Sequence, residues 1–121
     1  MNTEELACAQ RAYFETGATR PLEFRLAQLR KLQRALQDNE ALLESAMYSD
    51  FRKAPMEVYM CETGIVLEEV RFHLKHLRSW IRERTVPTPL AQFHAKSFVS
   101  PEPYGVALII APWNYPVQLC L

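Results

Sequence analysis

Tyr104-Gly105-Val106-Ala107-Leu108-Ile109-Ile110 runs directly into Ala111-Pro112-Trp113-Asn114-Tyr115-Pro116 near the C-terminal end of this 121-residue chain. The first stretch is short, partly β-branched and apolar throughout. That is the pattern of a strand buried on both faces, as in a parallel sheet covered by helices. A parallel partner needs a crossover of roughly a dozen residues or more, and no such length follows Ile110. An all-apolar strand with two open edges is a hazard for a small complete domain, so the pattern reads as a chain cut inside a larger fold. The second stretch is rigid and aromatic. Pro112 and Pro116 restrict the backbone on either side, and Asn114 is the one side-chain amide between them. In open α/β sheets, ligands bind at the C-terminal ends of the strands. An asparagine on a stiff turn there either donates to a developing oxyanion or satisfies the turn's own backbone, and the residues alone leave both open.

Upstream, the pattern is helical. Thr3 is placed to cap a first helix, with Glu4 and Glu5 in its first turn and Gly17 as its stop. Thr19-Arg20-Pro21 opens a second helix. In it Leu22, Leu26, Leu29, Leu36, Leu43 and Met47 recur at gaps of three, four or seven, an apolar stripe that Asp38-Asn39 bends or re-caps. Pro55 opens a third helix, expected to run to about Arg84. Its inward face is Tyr59, Thr63, Val66, Val70, Leu74, Leu77 and Ile81. Glu62, Glu69, Arg71, Lys75, Arg78 and Arg82 are expected on the solvated side. Gly64 sits inside this helix at a cost of about 1 kcal/mol relative to alanine. Either a backbone or a ligand passes close to it, or the position is unconstrained. Thr85-Val86-Pro87-Thr88-Pro89 breaks the helix, and Gln92 to Val99 mixes polar and apolar residues as an exposed strand does. The organisation is therefore a helical segment over residues 1–90, an exposed strand and turn over 91–103, and the start of an α/β unit over 104–121.

Acidic and basic residues balance, 14 against 14, which gives no electrostatic reason to expect nucleic acid or an anionic membrane as partner. Cys8, Cys61 and Cys120 are odd in number and widely spaced, without a CxxC or histidine-rich context. Neither a disulfide framework nor a metal site is expected from them, and a reducing compartment fits better. His73, His76 and His94 lack metal-ligand partners at suitable spacing and read as surface histidines. The start Met1-Asn2-Thr3-Glu4-Glu5 lacks the character of a secretory signal. No run in the sequence is long enough to cross a bilayer, and the expectation is a cytoplasmic protein.

Glu102 to Pro116, with Glu102-Pro103, Gly105, Ile110 and Pro112-Trp113-Asn114-Tyr115-Pro116 in order, resembles the E-P-x-G-x-x-x-x-I-x-P-W-N-[FY]-P signature of the aldehyde dehydrogenase superfamily. Thr19-Arg20-Pro21-Leu22-Glu23-Phe24-Arg25, followed by Leu29 and Leu32, resembles the start of the class 3-like branch. Asp50-Phe51-Arg52-Lys53 is similar to that branch's D-L-x-K, with Phe51 in place of leucine. The likeness covers the whole chain and implies that about three quarters of such an enzyme is not represented. It implies an α/β fold in which N-terminal helices lead into the first strands of a Rossmann-type domain, with residues 91–103 contributing to an oligomerisation hairpin. It also implies oxidation of an aldehyde to a carboxylic acid with NAD or NADP through a cysteine thiohemiacetal, in a homodimer. By the same resemblance Asn114 is the oxyanion donor. Ala111, Pro112 and Trp113 line the cofactor, and Tyr115 and Gln118, with Ile65 more weakly, face the substrate.

The resemblance places the nucleophilic cysteine, the base glutamate and the glycine-rich cofactor turn downstream. None of Cys8, Cys61, Cys120, Glu68 or Glu69 sits in a matching context, and Cys120 reads as a helix-packing residue. The alternative is a degenerate short module whose helical stripes pack on a partner. The 121 residues alone are expected to show no aldehyde oxidation, and an in-frame extension encoding a G-Q-x-C-like segment is expected to restore it. Turnover by the short chain contradicts the first expectation, and a stop codon with a soluble folded product favours the module.

Overall fold

The computed structural model describes residues 2–121. Its helices are α1 (Thr3–Glu15), α2 (Leu22–Asp38), α3 (Glu40–Phe51), α4 (Pro55–Val58), α5 (Gly64–Trp80) and α6 (Pro116–Cys120). A π-helical turn, Tyr59–Thr63, joins α4 to α5, and two short strands, β1 (Arg84–Val86) and β2 (Ser97–Val99), form a hairpin.

Local chemistry explains most of the boundaries. Asn2, rather than Thr3, caps α1: its side chain accepts from the Glu5 N–H at 2.8 Å while the Glu5 carboxylate accepts from the Asn2 N–H at 3.0 Å. This is a reciprocal capping box, and Thr3 becomes the first helical residue. Gly17 follows the helix end at φ +76°, a conformation open to glycine without a Cβ penalty. The long stripe of the second helix is divided at Asn39, whose side-chain amide donates to the Ala35 carbonyl at 2.8 Å. α3 ends where Arg52 adopts the left-handed conformation at φ +59°. That residue turns the chain so that Lys53 projects back towards the π turn.

The core lies where α2 packs on α5, with Leu43 of α3 at its edge. Leu36, Val66, Leu67 and Val70 are buried together, with Leu29, Leu32, Leu43 and Leu74 packed around them. Leu26, Met47 and Val58 are also buried. The expected apolar row of the third helix is therefore correct from Thr63 to Ile81. Tyr59, however, is exposed, and Val58, Glu62 and Leu67 face inward. The π turn causes the difference: it inserts an extra residue, so the face presented before Gly64 does not follow from the period after it. The helix also stops at Trp80 rather than Arg84, because Arg84–Val86 pairs with β2.

The hairpin is antiparallel, with Arg84 opposite Val99, Thr85 opposite Phe98 and Val86 opposite Ser97. The expected strand from Gln92 is shorter than anticipated, since Leu90–Gln92 forms a 3-10 turn within the connection. Tyr104 to Ile110 is in no ladder among the described residues, and Leu108 and Ile110 are more than four-fifths exposed. The expectation of a buried strand is not met within these residues, because none of them supplies the neighbours such a strand requires. Gly105, at φ +105°, lies close to the Phe14 ring of α1, which a Cβ at this position would meet at 3.3 Å, and this ties the start of the run to the helical part.

Gly64 answers the question its position raised. A Cβ there would lie 2.5 Å from the Tyr59 carbonyl oxygen and 3.3 Å from the Tyr59 ring. The close backbone belongs to the π turn itself, whose Tyr59 carbonyl accepts from the Gly64 N–H. In an ordinary helix interior, glycine to alanine stabilises by up to about 1 kcal/mol. Here Gly64→Ala is expected to destabilise by about 1–3 kcal/mol through overpacking against backbone. Chemical denaturation checks the sign, and a stabilised variant contradicts this account of the turn.

Candidate active site

Glu62 lies on the π turn and has no solvent-accessible side-chain surface. A carboxylate removed from water must be paired and hydrogen-bonded to be tolerated. Its Oε1 accepts from Lys53 Nζ at 2.6 Å. Its Oε2 accepts from two backbone amides, Val117 N–H at 3.1 Å and Gln118 N–H at 3.0 Å. Those amides belong to the first turn of α6, which has no intrahelical acceptors for them, and Pro116 contributes no N–H at all. The residue preceding the helix, Tyr115, makes no side-chain cap. Glu62 thus caps α6 from a segment 55 residues away in sequence.

Tyr115 itself sits at φ +53°, ψ +52°, an uncommon conformation for a bulky residue, of order 1–2 kcal/mol above right-handed alternatives. Lys53 Nζ stands over its ring at 4.6 Å from the centroid, a cation–π arrangement. One lysine therefore touches both the buried carboxylate and the strained tyrosine. The hydrogen bond to Glu62 raises the Lys53 pKa above its ordinary value of 10.5. Desolvation opposes the rise, and the charges of Glu62, Glu57 and Tyr115 add to it.

The anchored turn carries Asn114 immediately before Tyr115, and Asn114 is exposed. Trp113 is also exposed, and Ala111 is half-buried. Gln118 does two things: its N–H is held by Glu62, and its side lines a cleft of about 350 Å³ with Ile65, Val66, Glu69, His73 and Leu121. Ile65 and Glu69 also line a neighbouring open cleft of about 490 Å³ along the π turn, with Tyr59, Met60 and Phe72. The structure therefore brings Ile65 and Gln118 to one cleft, with Tyr115 over Lys53 at the head of the helix that carries Gln118.

The remaining sequence candidates behave as surface groups. Nδ1 of His73 and of His76 lies 2.8 Å from a carbonyl oxygen of its own helix, Glu69 and Phe72 respectively. Glu68 pairs with Arg71 one helical turn on, on the exposed face. Cys8 and Cys120 are exposed and Cys61 is half-buried, so Cys120 does not pack within these residues. Among the described residues no cluster of three metal-ligating side chains occurs, and no helix is long and apolar enough to cross a membrane.

Sequence reasoning missed Glu62 and assigned it to the solvated side. The signal was available: Val58, Glu62, Val66 and Val70 form an unbroken row of fours, and a charge inside an apolar row marks a paired buried group. Lys53 had been noted only as the end of the Asp50-to-Lys53 motif.

A model of the aldehyde dehydrogenase family matches residues 2–121. The chain belongs to the aldehyde dehydrogenase family. Its relatives place it in the class 3-like branch, as an N-terminal part. It is 45% identical over 111 residues to human aldehyde dehydrogenase family 3 member B1, covering 92% of this chain and 24% of that protein. It is 42% identical over 109 residues to 4,4'-diaponeurosporen-aldehyde dehydrogenase of Staphylococcus aureus, covering 90% of this chain and 24% of that protein. A solved structure of the substrate-bound state of Staphylococcus aureus AldH superposes with a TM-score of 0.91 at 41% identity, over 98% of this chain and 26% of that one. The chain thus spans about a quarter of the length of these aldehyde dehydrogenases. At this level of likeness, the helices, the hairpin and the motif turn share the fold of the corresponding part of an α/β family member.

Lys53→Met leaves Glu62 buried with two amide donors and no cation. Breaking a buried pair on one side commonly costs about 3–5 kcal/mol, and the lower end is expected because the amide bonds remain. The raised Lys53 pKa fixes the sign of the pH dependence. The contribution is fully present below the unfolded value and is lost as pH rises through the folded value. The melting-temperature gap between wild type and Lys53→Met should stay constant from neutral pH to about pH 10 and close above it. A gap that is already absent at neutral pH contradicts the ion pair.

Proposed function

We propose that this chain is the N-terminal part of an NAD(P)-dependent aldehyde dehydrogenase that oxidises an aldehyde to a carboxylic acid, with Asn114 as donor to the substrate oxygen. The observation that carries the reading is the anchoring of the Pro112-to-Pro116 turn: Asn114 is exposed next to left-handed Tyr115, at the head of the clamped helix whose Gln118 lines a cleft with Ile65. A donor held in advance costs no reorganisation when negative charge develops on the substrate oxygen, which is what makes such donors effective. In this reading an aldehyde is attacked by a cysteine thiolate outside these residues. The Asn114 amide then stabilises the resulting thiohemiacetal alkoxide. Tyr115, Gln118 and Ile65 shape the approach of the aldehyde.

The Ala111-Pro112-Trp113 stretch, half-buried at Ala111 and exposed at Pro112 and Trp113, offers backbone carbonyls and a flat indole. Those groups fit the face and carboxamide of a nicotinamide ring. The stretch has no charge of its own, so a pyrophosphate would be held elsewhere. When bound, the cofactor supplies the hydride acceptor. The exposed apolar run from Val106 to Ile110 supports the reading, since an unpartnered surface of this kind marks an interaction site, here the remaining strands of the cofactor domain. The β1–β2 hairpin, with Phe98 and Val99 exposed, would extend a homodimer interface, and a cytoplasmic location fits the free cysteines. Cys8, Cys61 and Cys120 take no part in the chemistry, and the isolated chain is inactive.

Asn114→Ala in the complete gene product is expected to lower kcat by about 100-fold or more, the usual loss for one oxyanion donor, with little change in the cofactor KM. A kcat within about twofold of wild type would exclude the donor role, since that corresponds to well under 1 kcal/mol.

A further inference from the structure

We infer that Glu62 is a positioning residue for the oxyanion donor: it acts on the chemistry by clamping the start of α6, and so fixes where Asn114 stands. The inference rests on the proposed role of Asn114.

The two bonds from Oε2 go to Val117 and Gln118, three and four residues after Asn114. Between them lie only Tyr115 and Pro116, one held in a left-handed conformation and the other with a ring-fixed φ. Little slack remains between the clamp and the amide. The opposite side of the clamp is equally constrained. Glu62 sits on the π turn, whose geometry is set by Gly64 against the Tyr59 carbonyl, and its second oxygen is held by Lys53. Lys53 in turn covers the Tyr115 ring. The carboxylate, the lysine and the turn form a closed circuit that ends one residue from Asn114. A displacement of about 1 Å at a reacting group is enough to cost on the order of 100-fold in rate.

The charge state of Glu62 matters as well as its shape. A carboxylate presents acceptors on both oxygens, whereas a glutamine presents one acceptor and one donor. In Glu62→Gln the amide NH2 must face either the Lys53 ammonium or the two backbone N–H groups, and each of those is a donor. One side of the clamp therefore opens although the side chain keeps its volume.

The test is a double-mutant cycle in the complete gene product with its cofactor, using Glu62→Gln, Asn114→Ala and the double variant. Melting temperature is measured alongside kcat and KM. Glu62→Gln is expected to lower kcat by about 10-fold or more with the cofactor KM little changed. If Glu62 acts through Asn114, the double variant falls no further than Asn114→Ala alone, because coupled sites are not additive. If Glu62 only supports folding, melting temperature falls and the two kcat losses multiply, which overturns the inference. A wild-type kcat in Glu62→Gln also overturns it. A wild-type kcat in Asn114→Ala overturns instead the donor role on which the inference rests. Should Glu62→Gln give no folded enzyme, Lys53→Met in the same cycle breaks the circuit from its other side. The same non-additivity with Asn114→Ala is expected, and multiplied losses again overturn the inference.

Discussion

A carboxylate without access to water must be satisfied by the protein around it, and at Glu62 this requirement organises the junction of three segments. One donor comes from Lys53, just beyond α3, and two come from the first turn of α6. No single segment supplies them all, so the carboxylate is stable only when the helical part and the motif-bearing part are together. The lone cost of burying such a charge would be several kcal/mol. The same group that would be expensive alone therefore makes the relative placement of the π turn and the Asn114 turn specific.

The π turn is what allows a charged side chain to occupy an inward position. With one extra residue in the turn, Val58, Glu62 and Thr63 all face the interior before the regular period resumes at Val66, Leu67 and Val70. Gly64 lets the backbone close that turn without a collision at the Tyr59 carbonyl. Two non-glycine residues, Arg52 and Tyr115, are held in the left-handed region, and Tyr115 lies against the Lys53 that pairs with Glu62 of the π turn. Strained backbone persists only where surrounding contacts over-determine it, and here the contacts are the Lys53 and Glu62 bonds.

Much of this was legible in the sequence. The leucine stripe located α2 and α3, Asp38-Asn39 marked their division, and Pro55 marked the entry to the third helical run. The motif from Glu102 to Pro116 named the family. What could not be read was set by distance and by local count. A period of 3.6 assumes regular turns, so a π insertion moves every residue before it to another face. That is why Glu62 was placed in solvent and Tyr59 in the core. The pairing of Arg84–Val86 with Ser97–Val99 is a non-local choice that local propensity does not encode. The run from Tyr104 to Ile110 has the composition of a buried strand but lacks neighbours among these residues, so composition and observed environment differ. For the site, Asn114, Tyr115 and Gln118 were identified as candidates by resemblance. Glu62 stands in a row of fours with Val58, Val66 and Val70 that the sequence carries, whereas its pairing with Lys53 and with the Asn114 turn emerged only from the three-dimensional arrangement.

The central claim is that Glu62 fastens the Asn114 turn by accepting from the amides of Val117 and Gln118. Those amides stand in the first turn of a helix, where no intrahelical acceptor protects them. Site-resolved amide hydrogen exchange, comparing wild type with Glu62→Ala, tests the claim most directly. The account predicts protected Val117 and Gln118 amides in the wild type and loss of that protection in the variant, with α2 and α5 core amides still slow in both. Unprotected Val117 and Gln118 amides in a folded wild-type protein would contradict it.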